Sequence, residues 1–190
     1  WKYLLLVALS LLGVNLICTM TAYQTPEELR VDFFVEGYST SEQDKLNEAW
    51  MESVRQEVLP EMEKVSLSFL SLDETYGDTV LFARLAAGEG DVYLLSKDRF
   101  QQIGGTGAMM DLQPLLDEGL LHADGIDLAS GYAADEDTGE KVLCGIPTDS
   151  LKGLNQYGIY TDGMMLCILR ANGNDENVIK FTDYLLTKMR

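Results

Sequence analysis

Three short polar stretches, each following an apolar run, hold the residues with most scope for chemistry: Gly37-Tyr38-Ser39-Thr40, Asp73-Glu74-Thr75-Tyr76 and Ser96-Lys97. Hydroxyls and carboxylates can hold a sugar or another polar or cationic solute by hydrogen bonds, while a tyrosine ring supplies a stacking surface. The same residue types also begin helices, where a side-chain oxygen accepts an otherwise unpaired backbone N–H. On the sequence alone Tyr38, Ser39, Thr40, Asp73, Glu74 and Ser96 are therefore candidate ligand-binding residues, with helix capping as the competing role for Ser39, Thr40, Asp73 and Ser96.

Catalytic chemistry has little to work with. The one histidine, His122, follows Leu120-Leu121 with no serine or cysteine motif around it, and fits a surface or capping position better than a general base. Gly104-Gly105-Thr106-Gly107 is glycine-rich but lacks the Lys-Ser or Lys-Thr that completes a phosphate loop. Asp135-Glu136-Asp137-Thr138-Gly139-Glu140 offers oxygen donors yet misses the spacing of an EF-hand loop, so it reads as a solvated hairpin tip. Cys144 and Cys167 lie in apolar stretches. They fit either a disulfide or free core thiols. No catalytic residue, metal or cofactor is assigned, and the chain reads as non-enzymatic.

With 31 acidic and 14 basic residues and a formal charge of −17, the chain lacks the clustered lysines and arginines that nucleic-acid binding needs. An apolar content of 46% separates it from a disordered acidic tail. A chain of 190 residues has room for one domain and an appendage.

The elements that must position the polar stretches follow from periodicity. Arg30–Gly37 reads as a strand, and Ser39-Thr40-Ser41 offers helix caps, with Ser41-x-x-Asp44 close to a capping box. Leu46, Trp50, Val54 and Val58 recur at helical spacing until Pro60. Val65–Leu70 alternates as a second strand, and Asp73-Glu74-Thr75 opens a helix with Val80, Leu81, Leu85 and Ala86 on its apolar face. Asp91–Leu95 is a buried strand, and Ser96 caps a helix ending near Gly104. Strand–helix alternation of this kind predicts an α/β fold with a mainly parallel sheet flanked by helices. Beyond it, Pro114 starts a helix, Tyr132–Ala134 and Lys141–Ile146 form a hairpin, Gly158–Leu169 makes a strand pair or one bent strand, and Glu176–Lys188 is a terminal helix.

No charged residue falls between Lys2 and Glu27, and the apolar run Tyr3–Met20 is long enough, with its flanks, to cross a bilayer. Residues 1–23 are therefore expected to be a retained transmembrane helix contacting the lipid bilayer, with Lys2 cytoplasmic, interfacial Trp1, Tyr3 and Tyr23, and Asn15 tolerated within it. A cleaved signal peptide needs a better site than Met20-x-Ala22, and a lipoprotein needs a small residue before Cys18 where Ile17 stands. Residues 24–28 read as a linker and 29–190 as an extracytoplasmic domain. The first residue is Trp rather than Met, which suggests that a leader precedes it.

The stretch Ala86-Ala87-Gly88-Glu89-Gly90-Asp91-Val92-Tyr93, then Phe100, then Gly107–Leu116 with its Asp111-Leu112-Gln113-Pro114-Leu115, resembles bacterial extracellular solute-binding proteins of ABC importers. Gly145-Ile146-Pro147 is similar to that family's "GIP" strand, and Asn172–Leu186 to its late helix. The resemblance implies the periplasmic-binding-protein-like type II fold, and it adds Pro147-Thr148-Asp149-Ser150, hence Asp149, to the candidate ligand-binding residues. It implies a small polar solute such as a sugar, and an ABC permease or other membrane protein as partner. Family members close two lobes around the ligand. Here little chain separates Gly145-Ile146-Pro147 from the late helix, so a single lobe is expected. The alternative implied function is an interaction or structural protein whose lobe contacts a partner in a membrane complex.

Overall fold

The computed structural model describes residues 25–72, 75–170 and 173–190, with Tyr3, Val7, Ser10, Gly13, Val14 and Tyr23 from the N-terminal stretch. The expected span over residues 1–23, with Asn15 and Cys18, thus lies mainly outside the described residues. Among the described residues no helix is long and apolar enough to cross a membrane.

Strand β1 (Arg30–Glu36) is central to the first half of the domain. It alternates buried Val31, Phe33 and Val35 with half-buried Asp32, Phe34 and Glu36, the period-two pattern of a sheet with a different environment on each face. It pairs in parallel with β2 (Lys64–Leu70) on one side and with β3 (Val92–Ser96) on the other. The five-stranded sheet continues through β7 (Met164–Ile168) to β6 (Ile146–Pro147), in the order β2-β1-β3-β7-β6. The expectation of a mainly parallel sheet holds for β2-β1-β3. Strand β7 departs from it, running antiparallel to both β3 and β6. The reason is its entry point: the chain reaches β7 beside the carboxyl end of β3, where Lys97 N–H donates to Gly163 O at 3.0 Å. An antiparallel neighbour needs no crossover helix.

Helix α1 (Ser41–Val58) is capped by Thr40, whose Oγ1 accepts the Gln43 N–H at 3.4 Å. The start signal is therefore Thr40-x-x-Gln43 rather than the expected Ser41-x-x-Asp44. Its buried face is Asn47, Trp50, Met51 and Val54, and Leu46 is 47% exposed. With 3.6 residues per turn, a series spaced by four drifts about 40° per step around the helix, which carries Leu46 off the face. The helix stops at Val58, ahead of Pro60 as expected.

Helix α2 (Gly77–Ala86) starts after the expected Asp73-Glu74-Thr75, with Tyr76 at its cap position, and it buries Leu81 and Leu85 but leaves Val80 and Ala86 exposed, against expectation. Helix α3 (Lys97–Ile103) follows β3, α4 (Gln113–Asp117) starts around Pro114, and α5 (Asp175–Lys188) closes the chain. The expected hairpin is β4 (Tyr132–Ala134) with β5 (Lys141–Leu143). The glycines before it have a packing role: a Cβ on Gly105 would lie 2.3 Å from Ala134 O, so the chain after α3 can approach the hairpin backbone only without a side chain there.

The two sheet faces carry separate cores. On one, α1 and α5 cover Val31, Phe33, Val35, Val92 and Leu94, with the Phe33 and Phe181 rings edge to face at 5.7 Å. On the other, α2 and α3 cover Tyr93, Leu95, Met165 and Cys167. Each fully buried large apolar side chain contributes about 1.5–3 kcal/mol. Cys144 and Cys167 both belong to the second core and are free thiols, which decides the open alternative. Burial holds the Cys144 thiol up to about 11 and the Cys167 thiol well above its ordinary range.

Candidate functional site

Open α/β sheets bind ligands beyond the carboxyl ends of their parallel strands, in the crevice where successive connections leave to opposite sides. Here β1 is that strand, with β2 on one side and β3 on the other. The gap between β1 and β3 is already filled. Glu36, the last residue of β1, accepts the Ser96 N–H at Oε2 (2.7 Å) and the Arg99 Nε–H at Oε1 (2.8 Å). Arg99, whose side chain is 13% exposed, also donates to Leu72 O at 3.0 Å and contacts the Asp78 carboxylate. One guanidinium thus ties the ends of β1, β2 and β3 to the starts of α2 and α3. Neither Glu36 nor Arg99 is among the candidate residues of the polar stretches. The available signal was a charged residue closing an otherwise apolar strand, with an arginine three positions after the cap of the helix following β3.

The open cleft lies one strand over. Gly37 N–H donates to Leu70 O at 2.9 Å, joining the ends of β1 and β2. Beyond them is a cavity of about 410 Å³ lined by Gly37, Tyr38, Ser39, Asp44, Leu67, Ser68, Phe69 and Ser71. Tyr38 is 75% exposed, so its ring and hydroxyl are available to solvent. Phe69 offers a second ring, and Ser68, Ser71 and the Asp44 carboxylate offer polar groups beside it. An aromatic, hydroxyl and carboxylate lining can take the alternating C–H and O–H surfaces of a sugar.

The candidate residues separate by position. Tyr38 and Ser39 line this cleft together, with Ser39 Oγ donating to Thr40 O at 3.3 Å. Thr40 is the cap of α1, as its competing role proposed. Ser96 occupies the cap position of α3 without a side-chain cap hydrogen bond, and it enters the site through its N–H to Glu36. Asp149 is exposed, accepts the Gly163 N–H at 3.0 Å, and lines a separate depression of about 220 Å³ with Pro147, Ser150 and Gly125–Asp127. Asp73 and Glu74 lie outside the described residues.

Elsewhere, His122 pairs with the Asp183 carboxylate through Nδ1 at 2.9 Å, and Asp183 also accepts the His122 N–H. Asp135 accepts the N–H groups of Asp137 and Thr138 and the Thr138 hydroxyl, which holds its carboxyl below the usual range and makes the acidic loop a self-satisfied hairpin tip. Among the described residues no group of three or more potential metal ligands converges. At the opposite, amino end of the sheet, Asp91 is 3% exposed and accepts the Asp32 N–H at 2.6 Å, and burial pushes its carboxyl up to about 6.

No family model matches the chain, and neither does any curated protein. Among solved structures the chain is similar to a family 1 extracellular solute-binding protein from Alicyclobacillus acidocaldarius, with a TM-score of 0.46 and 19% identity over 66% of this chain and 29% of that one. It is also similar to a de novo designed cysteine esterase, with a TM-score of 0.46 and 18% identity over 66% of this chain and 28% of that one. A third is the galacto-N-biose-/lacto-N-biose I-binding protein of the ABC transporter from Bifidobacterium longum, with a TM-score of 0.41 and 14% identity over 66% of this chain and 29% of that one. Each match spans under a third of the other protein's length.

Proposed function

We infer that the chain is a membrane-anchored, extracytoplasmic binding module that takes a small polar solute such as a sugar, in the manner of the solute-binding component of an ABC importer. The observation that carries this reading is the open cleft at the carboxyl ends of β1 and β2, where Tyr38, Ser39, Asp44 and Phe69 meet around about 410 Å³. That volume is of the size that holds a small ligand, and its lining pairs rings with hydrogen-bonding groups. The Asp44 carboxylate, with no cation among the described lining residues, favours neutral or cationic solutes over anions. The order of sequence motifs that resembles solute-binding proteins supports the same reading, and the uncharged stretch before Glu27 supports the anchor.

Thermal unfolding against a panel of mono- and oligosaccharides, amino acids and short peptides tests the solute. A ligand at a hundred times its Kd stabilises by about 2.7 kcal/mol, a rise of roughly 5–10 °C for a domain of this size. Tyr38→Ala should abolish that rise while leaving the melting temperature of the free protein within about 2 °C, because Tyr38 is an exposed side chain. A panel without a shift, or a shift that survives Tyr38→Ala, sinks the assignment of this cleft. Alkaline extraction of membranes tests the anchor separately: an anchored chain stays in the pellet, whereas a peripheral one is released.

A further inference from the structure

Strand β2 is the outer strand of the sheet, and among the described residues it pairs with β1 alone. Alternate residues of an outer strand turn their N–H and C=O groups away from the sheet, which templates a further strand. Edges are normally blunted by proline, a bulge or charge, lysine above all, and β2 carries a single charge, Lys64, at its first residue only. The sequence of β2, Lys-Val-Ser-Leu-Ser-Phe-Leu, contains no proline. Its register with β1 runs one to one from Arg30–Lys64 to Glu36–Leu70, without a bulge. Seven residues in regular register are enough to seat a partner strand.

The edge runs along a groove. Two depressions, of about 380 and 410 Å³, sit between α1 and β2 and share Leu67. Met51, Val65, Leu67 and Phe69 give them an apolar floor. Helix α1 forms the wall, and its exposed carboxylates Asp44, Glu48 and Glu52 stand at successive spacings of four, with Glu63 adding another at the start of β2. Among the described residues, Lys64 is the one cation lining either depression. Glu52 is held by Arg55 and Gln56, whereas Glu48 projects from the wall between it and Asp44.

We propose that this groove binds an extended, basic segment of a partner protein, which adds to β2 as a sixth strand and whose far end competes with a solute for the Tyr38 cleft. Side chains of an added strand alternate between the two faces of the sheet. Those turned toward α1 pass over the apolar floor and end at the acidic wall. A lysine or arginine suits both, because its aliphatic stem covers Leu67 and Met51 while its charged end reaches Glu48. Those on the other face meet Ser66 and Ser68 and carry little selection. A second copy of this chain is a poor occupant, since it would bring its own Asp44–Glu48–Glu52 row against the first.

The test is fluorescence anisotropy with the full chain in non-ionic detergent and labelled peptides that alternate lysine and valine. A glutamate–valine peptide and a lysine–valine peptide N-methylated at alternate amides are the comparisons. The lysine–valine peptide should bind, N-methylation should weaken it about tenfold or more by removing edge hydrogen bonds, and the glutamate peptide should not bind. Glu48→Lys should weaken binding about fivefold or more, and backbone amides of β2 should exchange more slowly in the complex. Equal binding of the N-methylated peptide, equal binding of the glutamate peptide, or unchanged exchange in β2 overturns the proposal. So does self-association of the chain through this edge.

Discussion

At the scale of single residues, Asp91 is the side chain with the sharpest consequence. It is almost fully buried at the amino end of the sheet, and burial, more than its neighbours, raises its carboxyl from 3.8 to about 6, although the Asp32 N–H works against the rise. The folded protein then holds this proton more tightly than the unfolded chain. Stability is greatest below about pH 4 for this group, falls as pH rises toward 6, and levels off above it, a loss of about 3 kcal/mol in all. Asp91→Asn should remove that slope while keeping an acceptor for Asp32, which urea titrations at pH 4.5, 5.5 and 7 would read directly. An unchanged slope would place the titration elsewhere. Glu36 makes a second prediction: Glu36→Gln keeps an acceptor for Ser96 but turns an NH2 donor toward Arg99 Nε and loses that bond, so it should cost roughly 1–3 kcal/mol in the same assay. The sequence shows an acid leading β3 and another closing β1. It does not show that the first is buried or that the second meets Arg99, because both facts depend on strand pairing across some sixty residues.

At the scale of elements, legibility followed the range of the forces involved. The strands β1, β2 and β3, the hairpin β4–β5 and the terminal helix α5 are local patterns, and they fall where period and turn residues place them. The direction of β7 is not local. The apolar run Met164–Ile168 suits either direction, and the preceding turn decides it by delivering the chain to the carboxyl end of β3, where Lys97 N–H donates to Gly163 O. The turn from α2 into β3 shows how firmly an element can be set by one residue. Gly90 has φ +82°, and a Cβ there would lie 2.3 Å from the Phe34 ring, against which Tyr93 also packs. Gly90→Ala meets both a disfavoured backbone conformation and a clash with a core ring. It should destabilise by about 2–4 kcal/mol, whereas Gly88→Ala, at φ +68° with nothing within 4 Å, should cost only about 1 kcal/mol. Equal costs in chemical denaturation would remove Phe34 from the account.

At the scale of the molecule, the formal charge of −17 and the Asp91 proton both make the folded state sensitive to solution conditions, and the two can be separated. Self-repulsion of a net charge destabilises a compact state and is relieved by salt. The surface ion pairs that salt also weakens, such as Lys180–Glu176 and Arg84–Glu89, are exposed and contribute little. Raising potassium chloride to about 1 M, where the screening length falls to about 3 Å, should therefore raise the melting temperature at pH 7.5. Lowering the pH to about 5.5 acts on different chemistry. Carboxyls with ordinary values near 4 stay ionised there, so the net charge hardly changes while Asp91 regains much of its proton. The wild-type protein should thus gain stability from either change, and Asp91→Asn should keep the salt response and lose the acid one. If the variant loses both, the two effects share one origin, and the buried carboxyl rather than the acidic surface governs how this molecule responds to its medium.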